Sequence, residues 1–401
     1  MADNCSNDLY LHNASLLEML EEATFWQMAP VTAYMVVIMV TGIVGNSLVC
    51  YVHGLKMKKS TANSFILWLA VLDLTTCSIG LPMETYDLVK HYTFGMPIFC
   101  KILRFIVYLT TVTAVITLVF IAIDRYCKIC RPLKSSPVRR CRVVVVVSLT
   151  VGALLSWPAL FLFGTKMIKT EYAGLCGKDC SIDDSMIGSN VPKIYLSVLM
   201  LAFFTGAIVL VVLYTLIGVR VYRRSQSVIG EHVQSSIIRP QTGNRTTGSL
   251  SSPTPKSPNE ASQKRRIDSQ SAPMDKRYKL GRTGLIFLTI TLVFILSFLP
   301  SLALMTVRAV RRGFTASLSD AEFTLYSFGL RTYFLNNAVN CLIYGFLNPL
   351  FKKECVKIGR KIKLSFAAVC CMSRRKNSPA KKASVTISKS DNVTEESLQR
   401  V

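Results

Sequence analysis

Residues 98–127 read IFCKILRFIVYLTTVTAVITLVFIAIDRYC. From Phe105 to Ile123 no charged side chain interrupts the run. A bilayer core of ~30 Å needs about 20 mostly apolar helical residues. The interval from Cys100 to Arg125, wound as helix, covers roughly 37 Å, enough to cross once with some tilt. Six further runs of this kind flank it, which gives seven in all: 28–52, 63–88, 98–127, 142–164, 194–222, 282–308 and 322–347. The expected fold is an all-α membrane protein, a bundle of seven transmembrane helices.

Composition agrees. The 401 residues are 51% apolar and only 17% charged, with 47 Lys+Arg against 23 Asp+Glu and a formal net charge of +24. Soluble domains usually carry about 25% charged residues. A greasy yet basic chain suits a membrane protein with basic loops, and the apolar runs rank that reading above a nucleic-acid binder. The first run lacks a basic n-region and follows a polar, acidic stretch, so it reads as an anchor rather than a signal peptide. Thirteen scattered cysteines fit neither a small disulfide scaffold nor a zinc array.

Seven crossings put the termini on opposite faces. Over three quarters of the 47 Lys and Arg fall in the segments joining runs 1–2, 3–4 and 5–6 and in the C-terminal tail. The positive-inside rule then places the N-terminus outside and the C-terminus in the cytoplasm. The glycosylation patterns at Asn4 and Asn13 lie in the outer tail, whereas those at Asn244 and Asn392 lie inside. The expected domains are an outer tail (1–27), the bundle (28–347) with a disordered cytoplasmic loop (225–278), an amphipathic segment (348–371) and a disordered tail (372–401). Within the amphipathic segment, Leu350, Phe351, Val356, Ile358, Ile362 and Leu364 alternate with lysines and arginines. That pattern suits a short helix on an anionic leaflet. Cys370 and Cys371 behind it are candidates for palmitoylation or remain free thiols.

Ionisable groups at membrane depth need a reason. Asp73 sits mid-run in Leu69-Ala70-Val71-Leu72-Asp73-Leu74, and Asn46, Asn336, Asn337 and Asn340 share its depth. This oxygen-rich set either holds a small hard cation such as Na⁺ with water or glues helices together as a polar network. Asp124-Arg125-Tyr126 closes run 3, where an acid and a base at a helix end pair locally or snorkel. Phe294, Phe298 and Pro300 mark a kink in run 6, and Tyr214 and Tyr344 lie near the same inner edge.

These pieces, in this order, resemble the rhodopsin-like (class A) G-protein-coupled receptor family, over about residues 28–364. They are Gly45-Asn46, Leu69 to Asp73, Cys100, Asp124-Arg125-Tyr126, Trp157-Pro158, Tyr214, Phe294 with Phe298-Leu299-Pro300, and Asn340 to Tyr344 followed by Phe351. The resemblance implies a sodium and water site at Asp73, Asn46, Asn336 and Asn340. It implies that Asp124, Arg125, Tyr126, Tyr214, Asn340 and Tyr344 serve activation and coupling, with Phe298 and Pro300 as pivot. It also implies a disulfide from Cys100 to the second outer loop, leaving Cys176 or Cys180 as partner; Cys180 is taken, being nearer run 5, with Cys5–Cys176 as a second bridge. The implied partners are an extracellular ligand, a heterotrimeric G protein, arrestin, receptor kinases acting on tail residues such as Ser378 and Ser384, and membrane lipids.

The chain departs from the family pattern at several places. Phe298 replaces a tryptophan, Ser297 a cysteine, Cys341 and Gly206 prolines, and Ala114 a sodium-binding serine. The mid-run-4 tryptophan is missing near Ser148 or Leu149, and Leu280 stands where some members carry an acid that locks Arg125, so basal activity is expected. Val107 and Phe334 replace the acid of amine receptors and the lysine of opsins. The candidate ligand-binding residues are Glu84, Asp87, Arg104, Val107, Tyr108, Arg308 and Tyr326. Charges of both signs at the mouth favour a neuropeptide-like ligand over a small acidic metabolite held by Arg104 and Arg308. The residues hold no catalytic triad, no H-E-x-x-H and no phosphate loop, and their four histidines lack ligand spacing, so an enzyme is not expected. A transporter or channel is a further alternative, weakened by the lack of an internal repeat.

Overall fold

The computed structural model describes residues 14–130, 139–170, 175–237, 273–311 and 314–376. Helix α1 runs Ala14–Tyr51 and continues through a π-helical turn, Val52–Lys56. Helix α2 spans Thr61–Val89 with a π-helical turn at Thr76–Gly80. Ser60 caps it, its hydroxyl accepting from the Asn63 amide at 3.2 Å. Helix α3 is Pro97–Cys130, with proline at the first position where its missing N–H costs nothing. Helix α4, Arg139–Ser156, stops at Trp157-Pro158. Helices α5, Val191–Ile237, and α6, Pro273–Val310, follow. The seventh crossing is divided: α7, Asp320–Leu330, a 3₁₀ turn, Thr332–Phe334, and α8, Leu335–Leu347. Helix α9, Pro349–Lys376, ends the described chain.

Among the described residues, six helices are long and apolar enough to cross a bilayer unbroken. The seventh run crosses in two pieces. Its break falls at Arg331, ten residues ahead of Cys341, and α8 passes through Cys341 without interruption. The kink expected of a proline there is therefore absent, and the bend is made upstream. Outward faces are apolar: Val37, Val44, Val146, Leu154, Leu201 and Ile208 are largely exposed. Such a surface is a liability in water and is what a lipid-facing bundle requires.

Several expected boundaries shift. Residues 14–27, expected in a free tail, are helical, because Leu17, Met28 and Val31 continue the buried stripe of α1. Residues 225–237 and 273–278, expected in a disordered loop, extend α5 and α6, and 372–376 extend α9 beyond the expected end at 371. Run 4 ends earlier than 164. A short helical turn, Ala159–Leu162, leads into strand β1, Phe163–Lys169.

That strand was not anticipated. It pairs antiparallel with β2, Cys176–Ile182, in a register that sets Thr165 opposite Cys180. The Lys178 amide donates to the Tyr92 carbonyl at 2.8 Å and the Phe94 amide to the Lys178 carbonyl at 3.0 Å, stitching the hairpin to the α2–α3 loop. The Cys100–Cys180 disulfide, with Cα atoms 5.5 Å apart, fixes β2 over the start of α3. Met83, Leu103, Val107, Phe163 and Tyr195 bury it.

Inside the bundle, a Cβ on Gly45 would overlap the Cys341 sulfur, and one on Gly42 would overlap the Cys77 sulfur. Glycine thus permits the close approach of α1 to α8 and α2. Gly206, in place of a proline, lies against Val115 and brings α5 close to α3.

Candidate functional site

Three polar levels are stacked along the bundle. The first lies beside the disulfide. One turn after Cys100, Arg104 donates to Glu84 at 3.1 Å, to Asp87 at 2.8 Å and to the Cys180 carbonyl at 3.2 Å. Arg331, at the break of the seventh crossing, reaches the other Glu84 oxygen at 3.5 Å and donates to the Ser327 carbonyl at 3.1 Å. Two buried carboxylates thus face two guanidiniums, a balance that low-dielectric burial demands. Cross-strand β2 is tied in through Cys180, so α2, α3, the hairpin and the seventh crossing meet at this one cluster.

Nearby aromatic rings line the same end. Tyr108 packs edge-on against Phe163 and Tyr195, with ring centroids 5.8 and 6.1 Å apart. Tyr326 is buried between Phe314 and Phe323. Val107 is buried in the hydrophobic cluster under the hairpin, and Arg308 is exposed. His91, in the α2–α3 loop, lies 3.9 Å from Asp179. Burial pushes its imidazole below the ordinary range, Asp179 opposes this, and Arg331 and Arg308 add to the depression. Glu21, on the unexpected first turns of α1, accepts from Thr93 and lies 3.8 Å from Lys90, so it docks that segment onto the same loop.

The middle level begins at Phe298. Its ring stacks on Phe203 of α5 at 5.1 Å and packs tilted against Phe294 at 4.6 Å and Tyr333 of the 3₁₀ turn at 5.4 Å. Below it, a small cavity is lined by Asp73, Thr76, Thr110, Asn336 and Asn337 among others. Asn340 donates to Asp73 at 2.8 Å. Asn46 donates instead to the Gly42 and Asn337 carbonyls, at 3.0 and 2.8 Å, and so joins α1 to α8. The side-chain oxygens of Asn336, Asn340 and Asn46 are buried and unpartnered among the described residues. Of these, Asn336 lines the cavity together with Asp73, and a carboxylate beside an unsatisfied amide oxygen there fits a small hard cation or water. Ala114 lines the cavity without an oxygen to give.

The inner level is at the end of α3. Arg125 donates to Asp124 at 2.6 Å, and Lys128, one turn on, donates to the same carboxylate oxygen at 2.8 Å. The Arg125 guanidinium lies 5.1 Å from the centroid of the Phe287 ring on α6. Tyr344 is fully buried, its ring 6.0 Å from His53 and 6.5 Å from Phe351. The hydroxyls of Tyr214 and Tyr344 are buried without a hydrogen bond among the described residues.

Residues 45–344 match the family described as 7 transmembrane receptor (rhodopsin family). This chain belongs to that family. It is a multi-pass membrane receptor, and its relatives by family are signalling proteins rather than enzymes.

Asp124 and Arg125 are paired. Asp73 and Asn340 are joined, whereas Asn46 bonds the Gly42 and Asn337 carbonyls. Cys180 is the disulfide partner of Cys100, and Cys176 is also held in a disulfide. Glu84, Asp87 and Arg104, named as candidate ligand-binding residues, are brought together in one ion cluster. Tyr126 is half-buried at the end of α3. Asn4, Cys5, Asn13 and the tail serines lie outside the described residues, as do the side chains of Leu280, Cys370 and Cys371.

Sequence reasoning missed Lys128, Phe287, Tyr333 and His53. It also passed over Cys127-Lys128-Ile129-Cys130, a C-x-x-C spacing at the end of α3. Both thiols are free, and among the described residues no group of three metal-ligating side chains forms.

Proposed function

We propose that this receptor sits in the plasma membrane with its N-terminus outside, binds an extracellular peptide-like ligand at its Cys100 end, and activates a heterotrimeric G protein at its Arg125 end. The observation that carries the proposal is the Arg125–Asp124 pair at 2.6 Å, covered by Phe287 of α6. An outward swing of the inner end of α6 removes the ring from the guanidinium and opens a groove beside it. Phe298, packed between α5 and the seventh crossing and two residues before Pro300, is the pivot for that swing. Tyr126, Tyr214 and Tyr344 rearrange beside the freed Arg125.

A peptide ligand is favoured because the outer mouth carries both signs of charge over an aromatic floor. A small acid gripped by Arg104 is disfavoured, because Arg104 already holds two carboxylates. Asp73, Asn336 and Asn340 would hold Na⁺ and its water, with Asn46 setting the position of α8. In the cytoplasm, receptor kinases and arrestin act on the tail, Cys370 and Cys371 take palmitate, and Asn4 and Asn13 carry glycans outside.

The test is a screen of a synthetic peptide library on cells or nanodisc-reconstituted receptor, read as nucleotide exchange on a panel of G proteins. Ligand-dependent exchange is expected, and Arg125→Ala abolishes it at unchanged surface abundance. Exchange that survives Arg125→Ala, or solute flux that needs no G protein, overturns the proposal.

A further inference from the structure

Four consecutive residues at the break in the seventh crossing face four different partners. Arg331 reaches Glu84 of α2 at 3.5 Å. The Thr332 hydroxyl, with one proton to give, lies 2.9 Å from the Ser297 carbonyl of α6 and 2.9 Å from the Gly329 carbonyl of α7. The Tyr333 ring lies 5.4 Å from the Phe298 ring. Phe334 is fully buried in a cluster with Met28, Val31 and Met35 of α1. Pro300 leaves one α6 carbonyl in this region without its usual amide donor, and Thr332 binds the backbone next to that gap. The break therefore joins the outer ion cluster to the α6 pivot through one 3₁₀ turn, three residues long.

The ion cluster has a weak member. Arg104 has three partners between 2.8 and 3.2 Å. Arg331 has one acid, at 3.5 Å, and a carbonyl of its own helix. The guanidiniums also lie nearer the surface: side-chain exposure is 19% for Arg104 and 12% for Arg331, against 6% and 5% for Glu84 and Asp87. Both arginine Nε groups lack a partner among the described residues. An incoming ligand meets cations first, and an anion can draw off Arg331 while Glu84 keeps Arg104.

We infer that the Glu84–Arg331 ion pair is a latch on the resting receptor, and that a ligand carboxylate opens it by taking Arg331. The exchange moves the 3₁₀ turn, and Thr332 and Tyr333 carry that movement to Ser297 and Phe298. Arg331 is the ligand-contacting residue of this device; Thr332 and Tyr333 are positioning residues. The inference rests on the receptor reading above and adds the chemical class of the ligand's anchoring group.

The experiment has two arms. In the first, Arg331→Gln, Glu84→Gln and Thr332→Val are compared without ligand, at matched surface abundance. Each is expected to raise basal nucleotide exchange about fivefold, the low end of ordinary coupling between sites, and Arg331→Gln adds nothing further in the Thr332→Val background. Unchanged basal exchange in Arg331→Gln while another variant or a peptide does move exchange, or strictly additive effects, overturns the latch. In the second arm, each library peptide is supplied as free acid and as amide. The acids are expected to be at least about tenfold more potent, a difference of 1.4 kcal/mol, and Arg331→Gln erases it. Equal potency of the two forms, or a preference for basic peptides, overturns the carboxylate assignment. If no variant or peptide moves exchange on any G protein, the receptor reading fails by itself. Apparent melting temperatures of the same single and double variants then decide the linkage, with non-additive shifts supporting it and additive shifts overturning it.

Discussion

Replacing Arg104 with methionine tests the ion cluster directly. The change keeps an unbranched apolar stem and deletes the guanidinium. Three hydrogen bonds go, at 3.1 Å to Glu84, 2.8 Å to Asp87 and 3.2 Å to the Cys180 carbonyl. Glu84 retains Arg331 at 3.5 Å. Asp87 fares worse: one of its oxygens is already buried and unpartnered, and the other loses its arginine. Stranding a buried charge costs roughly 3–5 kcal/mol when no water reaches it. Here the guanidinium is 19% exposed, so water enters part of the site and ~2–4 kcal/mol is expected. The assay is thermal unfolding of purified receptor in nanodiscs, reported as apparent melting temperature. The double variant Arg104→Met with Asp87→Asn removes the stranded charge and regains part of the loss. The expected order of stability is wild type, then the double variant, then Arg104→Met. If Arg104→Met melts with the wild type, or if Asp87→Asn lowers it further, the cluster does not hold the outer end together.

Four other outcomes follow from the same geometry. His91 titrates in the fold below its ordinary value of 6.5, so the unfolded chain takes up its proton first and stability falls as pH drops below that value; His91→Gln flattens the melting profile between pH 7 and 5. Cys180→Ser opens a bridge that spans 80 residues and lowers stability by about 2–4 kcal/mol, seen as a fall in apparent melting temperature under non-reducing conditions. Gly45→Val forces α1 off Cys341 at about 1–3 kcal/mol, and Cys341→Ala in the same chain restores part of it by unfolding assay. Replacing NaCl with choline chloride lowers the melting temperature of the wild type, whereas Asp73→Asn shows no such response.

The seven crossings were legible because lipid burial demands long apolar runs, and the chain has them. Asp73, Asn340, Asp124 and Arg125 were legible for the opposite reason, as polar groups where few are tolerated. What hydropathy could not reveal was where helices stop. Residues 14–27 are polar enough to resemble a tail, yet Leu17, Glu21 and Met28 fall on one helical face and dock. The break at Arg331 carries no proline or glycine at its centre. Its signals are Gly329 in the last turn of α7 and then Thr332 and Tyr333, a β-branched and an aromatic residue, whose weak helix propensity tertiary contacts exploit. The Arg331–Glu84 contact joins residues far apart in the chain, and one sequence holds no trace of such a pairing. Lys128 lies one turn after Asp124, the spacing at which a helical acid and base meet, beside an Arg125 that already accounts for the charge of Asp124.

Moving the bend from Cys341 to Arg331 changes the mechanics of the last crossing. From Cys341 to Tyr344 is about 5 Å of helix, whereas from Arg331 to Tyr344 it is roughly 20 Å. The segment below the hinge is thus a lever arm some four times longer. A tilt of about 5° at the upstream hinge sweeps the phenol through nearly 2 Å, on the order of the shifts by which packed helices switch partners. A receptor built this way needs only a small rotation near its mouth to displace a ring at its far end.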